Sequence, residues 1–333
     1  MDFFESIGFG HLSRCVALAN ALAEIGYEVL ICTTHKIELV APDFFYHTSI
    51  KFLYFNDTMN LYHIYSEFNP NILIIDLLET EVTFSEKQQI IQMVDNVSVS
   101  LCLDDFFSDE INYTYHLGPG FLKKESNQNR ICGLEHILFR NEFLVSKRDM
   151  QFRRNEKSLL ISLGSVDTFN VTHRVVDALV ELSWFENVDV MVGKFFSDTN
   201  VSKIYSSTKE NPSFRIHKGI SDISKFYVRS NICIVSGGQS KFEANLLGSF
   251  PLLLANNEIE AFACKVYSGE GLGLYLGQSD VFETKNLIKT LIKFQKSPFI
   301  LEKLRKSVYN KIDGLGAKRL AKLLDTSVIK KTM

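Results

Sequence analysis

Proline is scarce in this chain, six in 333 residues, which leaves no material for long proline-rich linkers. The six cysteines lie far apart, at positions 15, 32, 102, 132, 233 and 264, without a CxxC pair or a Cys/His cluster. That distribution argues against a zinc site and against a disulfide framework; separately, no cofactor is expected. Long apolar runs are missing as well: Ile72–Ile75 and Pro251–Ala255 are among the longest, far below the ~18 residues of a membrane span. No stable membrane insertion is therefore expected. Met1–Gly10 holds two acids and neither Lys nor Arg, so it does not read as a signal-peptide n-region. Neither sign of charge dominates, since 36 Lys and Arg face 39 Asp and Glu for a net −3. This opposes a broad basic face for nucleic acid or an anionic membrane. GxSxG, HExxH, P-loop and DxD patterns are absent, which leaves serine- and zinc-type hydrolases without support. The expectation is a soluble, cytoplasmic protein.

What is present is ordinary globular composition, 46% hydrophobic and 23% charged, too apolar for a disordered chain. At ~150 residues per domain the length gives about two domains. Leu12–Ile25 has helical spacing, with Leu12, Val16, Ala19, Leu22 and Ala23 on one face and Gly26 as its stop. Tyr27–Thr33 follows as a buried strand, Ile72–Ile75 is a strand ending at Asp76, and Val97–Leu103 one ending at Asp104 and Asp105. Apolar runs that stop at an acid, separated by helical segments, predict parallel sheets whose functional edge lies at the strand C-termini. A second round begins after the polar stretch Ser146–Lys157. It has strands at Ser158–Leu163, Val188–Val192, Ile232–Val235 and Pro251–Ala255, helices at Val171–Leu182 and Lys241–Leu247, and a helical region from about Lys285. The domains are accordingly read as 1–148 and 149–333. MDFFESI is a poor buried strand ahead of Gly8; either that strand is degenerate or the chain begins late.

Four loops could carry chemistry. Gly8-Phe9-Gly10-His11-Leu12-Ser13-Arg14 opens the first helix. Glycines there let the backbone approach a ligand and the helix N-terminus favours an anion. The positive end of the dipole disfavours imidazolium, which suits His11 to general-base work; the same residues serve equally as a turn whose His caps the helix. Ser236-Gly237-Gly238-Gln239-Ser240 joins strand ICIV to a helix carrying Glu243. That arrangement offers N–H groups to a diphosphate, with Glu243 placed for ribose hydroxyls. A tight turn with an ordinary helix-start acid is the alternative, and the position of the loop in a doubly wound fold favours the ligand. In the loop from Gly164 and Ser165 through Asp167 and Asn170 to Thr172, turn and N-cap chemistry is the stronger reading. Asn256 and Asn257 after strand PLLL suit a sugar or phosphate and a turn equally. Asp76, Asp104 and Asp105 end strands and either line a ligand site or cap loops. The other histidines, at 35, 47, 63, 116, 136, 173 and 217, show no ligand spacing.

GFGHLSRC, followed by ALANAL and Gly26, resembles the GxGHxxRC signature of the UDP-2,4-diacetamido-2,4,6-trideoxy-β-L-altropyranose hydrolases of pseudaminic acid biosynthesis. GLEHILFRNEF (133–143), ISLGSVDTFNVT (161–172), SGGQSKFEANLLGSFPLLLANNEIEA (236–261) and IDGLGAKRL (312–320) are similar to later segments of that family, in the same order. The resemblance implies a GT-B architecture, two Rossmann-like doubly wound α/β domains facing a cleft. It implies His11 as the base that directs water at the anomeric carbon, and UDP held chiefly by the second domain. Gly8, Gly10, Arg14, Asp76, Gly164, Ser165, Asn170, Gly237, Gly238, Gln239, Ser240, Glu243, Asn256 and Asn257 are the implied substrate contacts. The implied partner is a UDP-sugar, with no metal and no nucleic acid, in surface polysaccharide or flagellin glycosylation. Departures fall at Leu77 and Leu78, at Gly164-Ser165 in place of Gly-Gly, and at Asn257-Glu258 in place of Asn-Gln. The rivals are a glycosyltransferase of the same architecture, in which an acceptor hydroxyl replaces water, and an inactive sugar-nucleotide-binding homologue.

Overall fold

The computed structural model describes residues 10–33, 50–54, 58–77, 82–103, 109–118, 129–149, 157–220 and 222–332. The expected first strand before Gly8 lies outside these residues. The chain forms two compact units, one of His11–Arg140 with Gly314–Met333, the other built on Asn141–Asp313.

In the first unit, helix α1 (Gly10–Glu24) buries Leu12, Val16, Leu18, Ala19 and Leu22. Its stop follows from backbone geometry. Gly26 takes φ +99°, its N–H bonds the Ala23 carbonyl at 3.0 Å, and the Tyr27 N–H bonds that of Leu22 at 3.1 Å. These two bonds satisfy carbonyls the helix would leave open, and they need a left-handed residue at Gly26. Strands β1 (Val29–Thr33) and β2 (Ile50–Tyr54) pair in parallel. After helix α2 (Thr58–Phe68) come β3 (Ile72–Ile75), helix α3 (Phe84–Asn96) and β4 (Val99–Leu103), then β5 (Tyr115–Leu117) and β6 (Arg130–Ile131). The last four strands form a parallel sheet in the order β3-β4-β5-β6. Helix α3 is started by a capping box in which Thr83 and Glu86 each bond the other's backbone N–H.

The second unit opens with α4 (Asn141–Asp149). It continues through β7 (Ser158–Ser162), α5 (Val171–Leu182), β8 (Asn187–Val192), α6 (Asp198–Thr208), β9 (Phe214–Lys218), α7 (Ser224–Arg229), β10 (Ile232–Ser236), α8 (Ser240–Leu246), β11 (Phe250–Ala255), α9 (Glu258–Gly269) and β12 (Leu274–Gln278). Helices α10 (Thr284–Lys296) and α11 (Pro298–Tyr309) close it. Its six strands are all parallel, in the order β12-β11-β10-β7-β8-β9. Strands β7 and β10 are buried along almost their whole length on both faces, which is why they read as unbroken apolar runs.

The observed division departs from the expected boundary at 148/149 in two places, each with a packing reason. Helix α4 belongs to the second unit, where Phe143 is fully buried and its ring centre lies 6.0 Å from that of Tyr227 in a tilted contact. There the Lys147 ammonium donates to the carbonyls of Leu246, Ile312 and Tyr309 at 3.1, 3.2 and 3.4 Å. Helix α12 (Gly316–Thr332) returns to the first unit. Leu320, Ala321 and Leu324 enter the core formed by Leu18, Leu22, Val99, Leu101 and Leu103. Gly316 permits that docking: a Cβ there would lie 2.3 Å from the Ile137 carbonyl oxygen. Tyr27 donates to Asp325 at 2.9 Å and Tyr115 meets Ser327 at 2.8 Å, adding polar ties along the helix. Among the described residues no helix is long and apolar enough to cross a membrane.

Candidate functional site

The first constellation assembles at the start of α1 and the end of β3. The turn of helix between His11 and Arg14 puts both side chains on one face, and the strand ILII delivers Asp76 to that face. His11 Nδ1 lies 2.5 Å from Asp76 Oδ1. Arg14 grips the same carboxylate with two donors, Nε to Oδ2 at 2.7 Å and Nη2 to Oδ1 at 2.5 Å. Cys15 Sγ donates to Oδ2 at 3.3 Å. One carboxylate therefore serves four donors, and its side chain is only 4% exposed. Burial opposes ionisation of Asp76, but the Arg14 guanidinium and the His11 ring outweigh it and hold the carboxyl at about 2. Burial, reinforced by the Asp76 charge, pushes the Cys15 thiol well up, so it is no nucleophile.

Chemically, an ionised Asp76 accepts the Nδ1–H of His11 and so fixes the tautomer in which Nε2 carries the basic lone pair. The 3.1 Å approach of Arg14 Nη2 to His11 Nδ1 follows from two donors sharing Oδ1. Gly10 heads α1 with open space where a Cβ would be. Gly8, Asp104 and Asp105 lie outside the described residues, so of the acids proposed at strand ends Asp76 is the one seen to join His11.

The second constellation follows from sheet order. The chain runs outward from β7 to β8 and β9, then crosses back to β10 on the other side. The C-terminal ends of β7 and β10, where Ser162 pairs with Val235, flank the point at which strand order reverses. In doubly wound folds that point is where ligands bind. The loops containing Gly164 and Gly237 leave these two adjacent strands, and the Asn256–Asn257 loop leaves the next strand, β11.

Within that group Gly164 takes φ +103°, and Ser165 has a buried Oγ with no hydrogen-bond partner among the described residues. Asn170 is left-handed at φ +50° and accepts from Ser197 at 3.3 Å. Asp167 caps α5, taking the N–H groups of Val171 and Thr172 at 2.7 and 2.8 Å, which is the structural role its spacing suggested. Gly237 is there for close packing: a Cβ would meet Cys264 Sγ at 2.8 Å and Glu260 Cβ at 3.1 Å. Gly238 faces open space. Gln239 and Ser240 start α8, where the Phe242 N–H returns to the Gln239 carbonyl at 3.0 Å. Glu243 is 6% exposed, and after burial its charge is the main influence raising the pKa of the buried Tyr227 hydroxyl. Asn257 caps α9 by accepting the Glu260 N–H at 2.8 Å, Glu260 takes the Asn256 N–H at 2.8 Å, and Asn256 accepts from Ser279 at 3.0 Å. Sequence reasoning passed over Lys241, a buried lysine that donates to the carbonyls of Gly237 and Gly238. The sequence carried no signal for it, since SKFEANLL mixes polar and apolar residues and a lysine in such a helix start reads as solvent-facing. Among the described residues no group of three or more His, Cys, Asp or Glu side chains is placed to hold a metal ion.

No family model matches the chain. It is 24% identical over 268 residues to an uncharacterised protein of Methanocaldococcus jannaschii, covering 78% of this chain and 55% of that protein. It is 20% identical over 192 residues to the spore coat polysaccharide biosynthesis protein SpsG of Bacillus subtilis, covering 58% and 57%. It is also 23% identical over 258 residues to the UDP-2,4-diacetamido-2,4,6-trideoxy-beta-L-altropyranose hydrolase of Campylobacter jejuni, covering 74% and 86%. The match thus takes in about half the length of the first two relatives. Among solved structures, MurG of Acinetobacter baumannii superposes with a TM-score of 0.69 at 12% identity, over 95% of this chain and 96% of that one. The UDP-GlcNAc 2-epimerase of Neisseria meningitidis, solved bound to UDP-GlcNAc, gives 0.63 at 14%, over 95% and 96%. The fold is α/β with parallel sheets, of the GT-B type, and the chain is related to proteins that process nucleotide sugars.

Proposed function

We propose that the protein is a nucleotide-sugar hydrolase that releases UDP from a UDP-2,4-diacetamido-2,4,6-trideoxyhexose, in pseudaminic acid-type nonulosonate biosynthesis. The observation that carries this reading is the His11–Asp76–Arg14 constellation, a histidine whose tautomer is fixed by a buried, ionised carboxylate. His11 Nε2 takes a proton from water as the water oxygen bonds to the anomeric carbon. The bond from that carbon to the diphosphate oxygen breaks, and UDP leaves with the electron pair. Arg14 neutralises Asp76 and holds it in place, so the carboxylate orients the ring rather than acting itself. The Gly237–Ser240 loop supplies N–H groups to the diphosphate, and Glu243 the ribose contact. Gly164, Ser165, Asn170, Asn256 and Asn257, on loops that leave the same edge of the second unit's sheet, are the further contacts assigned to the substrate. The 23% identity to a hydrolase of this substrate supports the assignment.

The fold is shared with a solved glycosyltransferase, VinC, which favours one rival, a glycosyltransferase in which His11 activates an acceptor hydroxyl. Steady UDP release from the diacetamido sugar nucleotide by purified protein, with no acceptor present, is the expected result. Release that needs an added acceptor overturns hydrolysis in favour of transfer.

A further inference from the structure

Lys241 occupies an unusual position. It is 4% exposed, in the first turn of α8, with its ammonium 4.4 Å from the Phe242 ring centre and 5.8 Å from that of Tyr267. A buried ammonium is costly unless hydrogen bonds and aromatic faces replace its water. Its donors go to two consecutive peptide carbonyls, those of Gly237 and, at 2.9 Å, Gly238.

That pairing has a geometric consequence. In a planar trans peptide the C=O and the following N–H point in opposite directions. With the Gly237 and Gly238 carbonyls turned toward Nζ, the N–H groups of Gly238 and Gln239 are turned away from it. Two successive N–H groups aimed the same way make an anion-binding concavity. At Gly237 the loop is packed closely, since a Cβ there would lie 2.8 Å from Cys264 Sγ and 3.1 Å from Glu260 Cβ. On the Gly238 side nothing lies within 4 Å of a Cβ position. The ammonium behind the loop adds positive potential to the face that the N–H groups present.

We propose that Lys241 is a positioning residue for the diphosphate: from behind the loop it locks the Gly237–Gly238 peptides in the orientation that presents their N–H groups to the nucleotide. This rests on the nucleotide-binding reading given above. The test titrates UDP and uridine into wild type, Lys241→Met and Lys241→Gln, with calorimetry or NMR as the readout and melting curves to verify folding. Methionine keeps the stem and the aromatic contacts without the donors; glutamine keeps an amide donor group on a shorter stem without the charge.

For Lys241→Met, UDP affinity falls about tenfold or more, the scale of lost charge-assisted hydrogen bonds, while uridine affinity stays within about twofold because the base and ribose contacts do not depend on the loop peptides. Lys241→Gln lies between, and it carries the same comparison if the Met variant fails to fold. Unchanged UDP affinity overturns the inference, as does an equal loss for UDP and uridine, which marks a structural residue. Wild type that binds no UDP overturns the nucleotide-binding reading and this inference with it.

Discussion

Asp76→Asn perturbs the first constellation with almost no change in volume. Two carboxylate oxygens serve four donors, Oδ1 for His11 and Arg14 Nη2, Oδ2 for Arg14 Nε and Cys15. Asparagine offers one oxygen, and its amide nitrogen must face a donor. The carboxyl sits at about 2 against an ordinary 3.8. At ~1.36 kcal/mol per unit, that difference is worth roughly 2 kcal/mol of stability from ionisation alone. A carboxyl depressed in the folded state stabilises the fold above its unfolded pKa, and the contribution is lost as pH falls from about 4 through about 2. Urea unfolding at pH 7 should therefore show the variant less stable by roughly 2–4 kcal/mol, the upper end including the uncompensated Arg14. The gap to wild type should narrow as pH drops below about 4. Removing the acceptor also frees the His11 tautomer. The analogous substitution in serine proteases costs about 10⁴ in kcat, so UDP release should slow by roughly 10³–10⁴-fold with UDP affinity unchanged. A folded Asp76→Asn protein within tenfold of wild-type kcat would refute the role given to the pair.

Replacing the base itself, His11→Asn, abolishes turnover and leaves UDP affinity by calorimetry nearly intact; equal loss of both would make His11 structural. Glu243→Gln weakens UDP severalfold with little change in kcat at saturating substrate, and unchanged affinity would remove Glu243 from the nucleotide site. Gly316→Ala places a Cβ 2.3 Å from the Ile137 carbonyl oxygen and destabilises the first unit by about 1–3 kcal/mol, the range of an overpacked contact. Thermal melting checks it, and an unshifted melting temperature would contradict the docking of α12.

The second unit was largely legible because its central strands β7, β8, β10 and β11 are covered on both faces, which leaves apolar runs such as ICIV and FPLLLA. The edge strand β9, FRIHK, was missed: it is partly exposed and carries Arg215, His217 and Lys218. Strand β12, LYLGQ, is likewise only partly buried and holds Gly277 at φ +133°. The return of α12 to the first unit was not readable, since an amphipathic helix declares an apolar face but not the surface that covers it. Its glycines were visible in IDGLGAKRL, and the structure gives them physical work, a positive φ of 84° at Gly314 and a close approach at Gly316. At the candidate site, His11 and Asp76 were each legible as a helix-start histidine and a strand-end acid. They stand 65 positions apart in the chain, and their meeting needed the fold. Lys241 was invisible because a lysine near a helix start usually faces water.

The central claim, that water is the nucleophile and the anomeric carbon its target, is tested most directly by isotope. The protein is incubated with UDP-2,4-diacetamido-2,4,6-trideoxy-β-L-altropyranose in ¹⁸O-water, and both products are weighed by mass spectrometry. Unlabelled UDP beside a sugar carrying one ¹⁸O is the expected result. Label in the UDP would place the attack at phosphorus and contradict the role of His11. Intact substrate, under conditions where UDP binds, would contradict hydrolysis of this sugar altogether.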